Sequence, residues 1–346
     1  MVPPASKREH LRADMVLAGG GVLGIGHVGV VSVLEDRGYT FPRLAGTSAG
    51  SIVAAVLASG MPAPRMHAIV GELDYLRFRD RSVLDRLPLV GPPASVLLEN
   101  GFYEGDYMRE WLAGELESQG VRTFGDLRVD DPGSSLPPER RYRLVVMATD
   151  LTRGELVRLP WDYADRYGLD PDEQLVADAV RASSSIPYFF EPVRLDHRDG
   201  GHSLLVDGGV LSNYPLEVFD RIDGRPPRWP TFGVTLLPRL PAGSTELFPL
   251  LGVLRQVPSL RFLESLVTTL VVGRDQGYLS QPWVAARSIE VDTLHVNPVD
   301  FGLDHDTVER LYESGRDAAG GFLANWDWQR YVEQFRPTVE KGARRT

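Results

Sequence analysis

Twice within its first fifty residues the chain runs from a short apolar stretch into a glycine-framed turn and out again into a helical pattern. Met15 to Ala18 ends in Gly19-Gly20-Gly21, and from about Gly24 to Asp36 the residues Ile25, Val28, Val31, Val33 and Leu34 recur at helical spacing. After Gly38, the run Phe41 to Ala45 enters Gly46-Thr47-Ser48-Ala49-Gly50, and Ile52 to Ala58 follows as a helix of small residues. A strand, a tight turn and a helix, repeated, restrict the chain to a layered α/β fold in which helices cover a sheet.

The remainder extends the pattern. Strands are expected at Tyr142–Ala148, Glu155–Leu159, Leu204–Val206, Thr231–Leu237 and Ile289–Val296, and helices at Tyr107–Ser118, Glu173–Ser183, Leu216–Asp220 and Thr307–Leu323. The proline-bearing stretches Pro88–Pro93, Pro132–Pro138 and Pro226–Pro230 read as surface loops, because none separates two self-sufficient patterns. A charged, proline-bearing arm (1–13), a single α/β domain (14–330) and a polar tail (331–346) are the expected divisions. With 346 residues, 43% of them hydrophobic, a core is affordable without disulfides, and cysteine is absent. That absence also removes thiolate metal sites and cysteine nucleophiles.

The arm lacks an apolar segment of the secretory kind, and no apolar run is long enough to span a bilayer. A cytoplasmic location is expected, with transient contact at a membrane interface if the substrate is a lipid. A net charge of −10 argues against nucleic acid as a partner. No oligomeric state follows from the pattern. Ligands clustered at zinc or calcium spacing are missing, so no metal and no cofactor is expected.

Gly19-Gly20-Gly21-Val22-Leu23-Gly24 fits the G-x-G-x-x-G of a dinucleotide loop between strand and helix. A Rossmann site also needs an acid at the end of the second strand, where this chain has Ala45-Gly46-Thr47-Ser48, and Asp36 lies inside the first helix. The same turn serves an acyl-transfer oxyanion, since N–H groups at a helix start point at whatever anion sits there. Gly46 and Gly50 flank Ser48 as in the G-x-S-x-G elbow that exposes a nucleophilic hydroxyl. A helix cap would explain the serine but not both glycines.

A serine needs a proton acceptor, and none of the seven histidines is well placed for it. His295 and His305 come late enough in the chain for a Ser…Asp…His order and remain alternatives. Asp207 before Gly208-Gly209 is, by itself, an ordinary turn aspartate.

Taken together, the glycine loop, the elbow, Ala182-Ser183-Ser184-Ser185-Ile186-Pro187 and Val206-Asp207-Gly208-Gly209 resemble the patatin-like phospholipase family in order and spacing. Met147-Ala148-Thr149-Asp150-Leu151-Thr152, preceding Gly154, resembles a further stretch common there. The resemblance covers roughly residues 14 to 222. It implies a patatin-like layered fold with a central, mostly parallel sheet flanked by helices. It implies a lipid acyl hydrolase whose nucleophile is Ser48 and whose base is Asp207, without histidine. The oxyanion hole would come from Gly19, Gly20, Gly21 and Gly24, with the Gly20 and Gly21 amides as its donors, and Gly46, Gly50, Gly208 and Gly209 would shape the motifs. One departure is visible, since many members carry a basic residue in the loop where this chain has Leu23. That departure is the sole support for a catalytically silent, lipid-binding or regulatory protein of the same fold.

An acyl chain needs an apolar groove. Leu84–Leu98, Leu247–Leu251 and the stripe from Leu260 to Val271 are apolar enough to form a lid or channel, although plain core is the simpler reading. Arg77, Arg79, Arg81 and Arg86 read as a solvated charged face before they read as headgroup ligands.

Overall fold

A strand with helices over both faces must be apolar on both, and Asp14–Leu17 (β1) and Leu44–Thr47 (β2) are buried at every position. The computed structural model describes residues 11–72, 103–187, 189–236, 276–298 and 300–336. Around β1 and β2 the sheet adds Leu144–Asp150 (β3), Glu155–Leu159 (β4), Val193–Asp196 (β5), His202–Asp207 (β6), Thr231–Thr235 (β7) and Ser288–Glu290 (β8). Its order is β8-β7-β1-β2-β3-β6-β5, with β4 pairing β3 off that path. The pairs from β8 through β3 are parallel, whereas β4, β5 and β6 pair antiparallel.

Two groups of helices cover it. Ile25–Asp36 (α1) packs with Ala63–Glu72 (α3) and the long His305–Asn325 (α6), while Ala49–Ala58 (α2) packs with Asp106–Ser118 (α4) and Val176–Ser183 (α5). α2 carries almost no polar side chain and is buried on nearly all sides, as a helix wedged between sheet and other helices must be. The main core runs through the sheet residues and α1, α2 and α6. A smaller cluster of Val22, Tyr103, Met108, Phe189, Phe190 and Phe301 sits apart from it.

Register does the work of assembly. Thr47 on β2 pairs Met147 on β3, and the next β3 residue, Ala148, pairs Asp207 on β6. The ends of β2 and β6 are thereby brought to neighbouring positions across one strand, although about 160 residues separate them in sequence (207 − 48 = 159).

The structure differs from the sequence expectation at four places. Leu11–Arg12 is not part of a free arm but pairs with Tyr39–Thr40, and Ala13 is buried. Trp328–Phe335 is helical with Tyr331 buried, so the polar tail does not begin at residue 331. The strand expected over 289–296 ends at Glu290, because Leu294 and His295 take positive φ of 54° and 59° in a turn. β5 is additional to the expected strands: only Val193 and Leu195 alternate with Arg194 and Asp196 on this edge, too little apolar signal to register.

Candidate active site

The elbow forms because nothing larger than glycine fits where α2 meets the end of β1. A Cβ added at Gly50 would lie 2.2 Å from the Leu17 carbonyl oxygen and 2.5 Å from that of Ala18. Between Gly46 and Gly50, Ser48 sits at the N-terminus of α2 with φ 52° and ψ −128°. A serine held at positive φ stores roughly 1–3 kcal/mol of backbone strain and persists only where its surroundings hold it. Here its N–H donates to Ser183 Oγ (2.9 Å), and its carbonyl accepts from the Ser51 N–H (2.8 Å) and Ser51 Oγ (2.6 Å).

Asp207 ends β6 and is 2% exposed. Its N–H donates to the Ser185 carbonyl (2.9 Å), and its Oδ1 accepts from the Gly209 N–H (2.7 Å). Burial pushes the carboxyl up to about 6; the hydrogen-bonding hydroxyl of Ser48 and the Gly209 amide hold it down against that rise. Ser48 and the Asp207 carboxylate therefore face each other in a site largely closed to solvent, Ser48 being 5% exposed.

The glycine loop passes beside them. A Cβ at Gly19 would come within 3.0 Å of Ser48 Cβ. Gly19 is not free to act as an oxyanion donor: its N–H donates to Asn213 Oδ1 (3.1 Å) and its carbonyl accepts from Asn213 Nδ2 (3.3 Å). The Val22 and Leu23 amides are likewise engaged, by the Pro298 and Gly20 carbonyls. Gly21 has φ 57° and lies so near Pro298 that an added Cβ would fall 2.0 Å from its carbonyl oxygen, so only glycine turns the loop here. Gly21 and Gly24 both line the space over Ser48. The Leu23 side chain is fully buried in the main core and points no charge into the site.

That space is a pocket of about 720 Å3 with almost wholly apolar walls. Ile52 and Val53 of α2, Met108 and Trp111 of α4, Phe190 and Phe301 form most of its surface. Phe301 stacks on Phe189 at 5.2 Å, and Tyr103 packs against Phe189 at 4.9 Å, which stiffens the wall. Ser184 borders the pocket with a buried hydroxyl that has no hydrogen-bond partner.

No histidine lines it among the described residues. His27 is fully buried behind the loop, with Nε2 against the Ala18 carbonyl at 2.8 Å, and burial drives its pKa down to about 4. His295 and His305 are exposed. Among the described residues no three His, Cys, Asp or Glu side chains gather as a metal site would require, and no helix is long and apolar enough to cross a membrane. The stretches Leu84–Leu98, Leu247–Leu251 and Leu260–Val271, and Arg77, Arg79, Arg81 and Arg86, lie outside the described residues.

Three contributors escaped the sequence reading. Ser183 and Ser185 read in sequence as a helix end and turn that could border the pocket, and in the structure the first fixes the Ser48 amide and the second the Asp207 amide. Asn213 carried no signal, since a lone asparagine after a turn is commonplace. Asn213→Ala should leave the fold intact but free Gly19, lowering kcat/KM on the order of tenfold through misplacement of the loop. Ester turnover beside a thermal melt checks this, and unchanged turnover would make the Asn213–Gly19 pair merely structural.

A profile of the family described as patatin-like phospholipase matches residues 15–220. The uncharacterized protein YqhO of Bacillus subtilis (strain 168) is 45% identical over 227 residues, covering 65% of this chain and 72% of that one. An uncharacterized NTE family protein of Mycobacterium tuberculosis (strain CDC 1551 / Oshkosh) is 28% identical over 318 residues, 89% of this chain. This chain spans 46% of that relative, so less than half its length. Among solved structures, VipD from Legionella pneumophila aligns with a TM-score of 0.49 and 19% identity, covering 91% of this chain and 67% of that one.

Proposed function

The chain belongs to the patatin-like phospholipase family, and from that membership and the chemistry of its pocket we propose that it hydrolyses carboxylic esters of lipids, with Ser48 as nucleophile and Asp207 as general base. The observation that carries the reading is a buried carboxylate of raised pKa facing an elbow serine on the floor of an apolar pocket. An ordinary aspartate, with pKa near ~3.9, is a poor base for an alcohol. A value of about 6 narrows the mismatch while leaving the group ionised at neutral pH.

Ser48 Oγ attacks the ester carbonyl as Asp207 takes its proton. The Gly20 and Gly21 amides and the N-terminus of α2 stabilise the oxyanion. Asp207 returns the proton to the departing alcohol, and the acyl chain stays in the apolar pocket. Water then attacks the acyl carbonyl as Asp207 takes its proton, and the Ser48 Oγ–acyl bond breaks as Asp207 returns that proton to Oγ, releasing fatty acid and free Ser48. Contact with a lipid interface is part of the proposal, since the substrate is held there. A histidine-based triad loses its support, because His295 and His305 are exposed while Ser48 is buried.

The direct test is labelling with a fluorophosphonate, mapping of the modified residue, and competition by a glycerophospholipid. Labelling at Ser48 that the lipid slows is the expected result; labelling elsewhere, or none, would remove the proposal.

A dependence on pH follows. Asp207 works only when deprotonated, so kcat/KM should fall as pH drops below about 6, tenfold per unit at the acid end. A pH–rate profile on a non-ionising ester checks this; an acid limb centred near 4 would mean that burial does not set the base.

A further inference from the structure

At the end of the sheet away from Ser48, the N-terminal ends of β1, β2, β7 and β8 converge on a second pocket of about 450 Å3. Arg43, Arg221, Arg228, Arg287 and Arg336 line it. Their carboxylate partners are Asp14, Asp223 and Asp131 for the first three, and Asp220 for both Arg287 and Arg336. Among the described residues, these five guanidinium groups pair with four carboxylates, one fewer than the positive charges they carry.

Hydrogen bonding leaves a matching deficit. Arg287 is 2% exposed; its two terminal nitrogens bond Asp220 at 2.7 and 2.8 Å, but its Nε is buried without a partner. The buried Trp229 indole N–H is directed at the Asp14 carboxylate, which also takes Arg43. The Tyr331 hydroxyl, also buried, accepts from Arg336, and its own proton meets no acceptor among the described residues. All three atoms belong to residues that line this one pocket, and each is a hydrogen-bond donor. Buried donors without acceptors are costly and call for an explanation.

We infer that this pocket binds a small oxyanion, phosphate or a phosphate ester. Such a ligand supplies acceptors to the Arg287 and Tyr331 donors beside Trp229 and meets the guanidinium charge that Arg228 and Arg336, each about one-third exposed, leave open to solvent. It would also pin the helix Trp328–Phe335 to the sheet, because Trp328, Tyr331 and Arg336 all reach the pocket. Free phosphate and the headgroup of an anionic lipid share this chemistry.

The test uses the full chain carrying Ser48→Ala, so that its outcome is independent of the hydrolase reading. Melting temperature and tryptophan fluorescence are followed against inorganic phosphate, with sodium chloride at matched ionic strength as control, and against phosphatidylglycerol vesicles with phosphatidylcholine vesicles as control. The expected result is a rise of about 2 °C at roughly ten times Kd, with a fluorescence change from Trp229 and Trp328, neither seen in chloride. Arg228→Gln and Arg336→Gln, at partly exposed positions that should not threaten folding, are each expected to weaken binding about tenfold or more. Response to phosphate assigns a soluble anion; response only to phosphatidylglycerol, lost in both variants, assigns a lipid headgroup. Equal behaviour in phosphate and chloride with no vesicle binding, or a response untouched by both variants, overturns the site.

Discussion

Ser48→Ala is expected to lower turnover of a short-chain p-nitrophenyl ester by about four orders of magnitude or more, because the acyl-enzyme cannot form without the hydroxyl. What remains is hydrolysis by bound water and the oxyanion donors, which such sites retain at a low level. The fold should survive, since the loss is one oxygen atom at a site whose backbone bonds to Ser183 and Ser51 persist. A companion variant separates chemistry from strain. Alanine keeps the unfavourable φ of 52°, whereas Ser48→Gly should relieve it and melt higher by an amount corresponding to roughly 1 kcal/mol. Both should be inactive. Near-native turnover in either would take Ser48 out of the mechanism.

Asp207→Asn should slow fluorophosphonate labelling of Ser48 and ester hydrolysis by about 10³-fold, at nearly constant volume, since asparagine accepts the Gly209 bond but no proton. Its effect on stability runs the other way. The folded-state pKa of Asp207 is raised, so the native protein favours the neutral acid and loses stability as pH climbs from the ordinary value of 3.8 through about 6. At pH 8 the buried charge costs up to ~3 kcal/mol, at 1.36 kcal/mol per unit, and asparagine does not carry it. The variant should therefore melt above the native protein at pH 8 and level with it near pH 4. Native labelling rates would end the dyad; a lower melting point at pH 8 with slow labelling would show a structural aspartate instead.

How much of this was legible depended on how local each constraint is. The strands β1 and β2 with their turns could be read because apolar runs and glycines lie side by side in sequence. Ser48 could be read for the same reason. Asp207 could not be read as a base from its own surroundings, where a turn aspartate explains it; the resemblance picked it out, and its meeting with Ser48 depends on the β2-β3-β6 register. Asn213 and Ser183 act over 194 and 135 residues of separation, beyond any periodicity. Gly19 was counted among the oxyanion glycines because its partner lay that far off. The edge strand β5 mixes charge with only two apolar residues, whereas the helix Trp328–Phe335 places Trp328, Tyr331, Val332 and Phe335 at helical spacing and was legible by its period.

The tripeptide Ser183-Ser184-Ser185 touches both Ser48 and Asp207, the Ser183 hydroxyl at the amide of the first and the Ser185 carbonyl at that of the second. It behaves as a gauge inserted between two parts that are otherwise mounted separately, on β2 and on β6. Drift in either mount, from loop insertions before β2 or between β5 and β6, is corrected against the same short reference. One residue added inside the gauge has no such correction. Variation between homologous enzymes is therefore expected to accumulate freely around these three positions while their number stays constant.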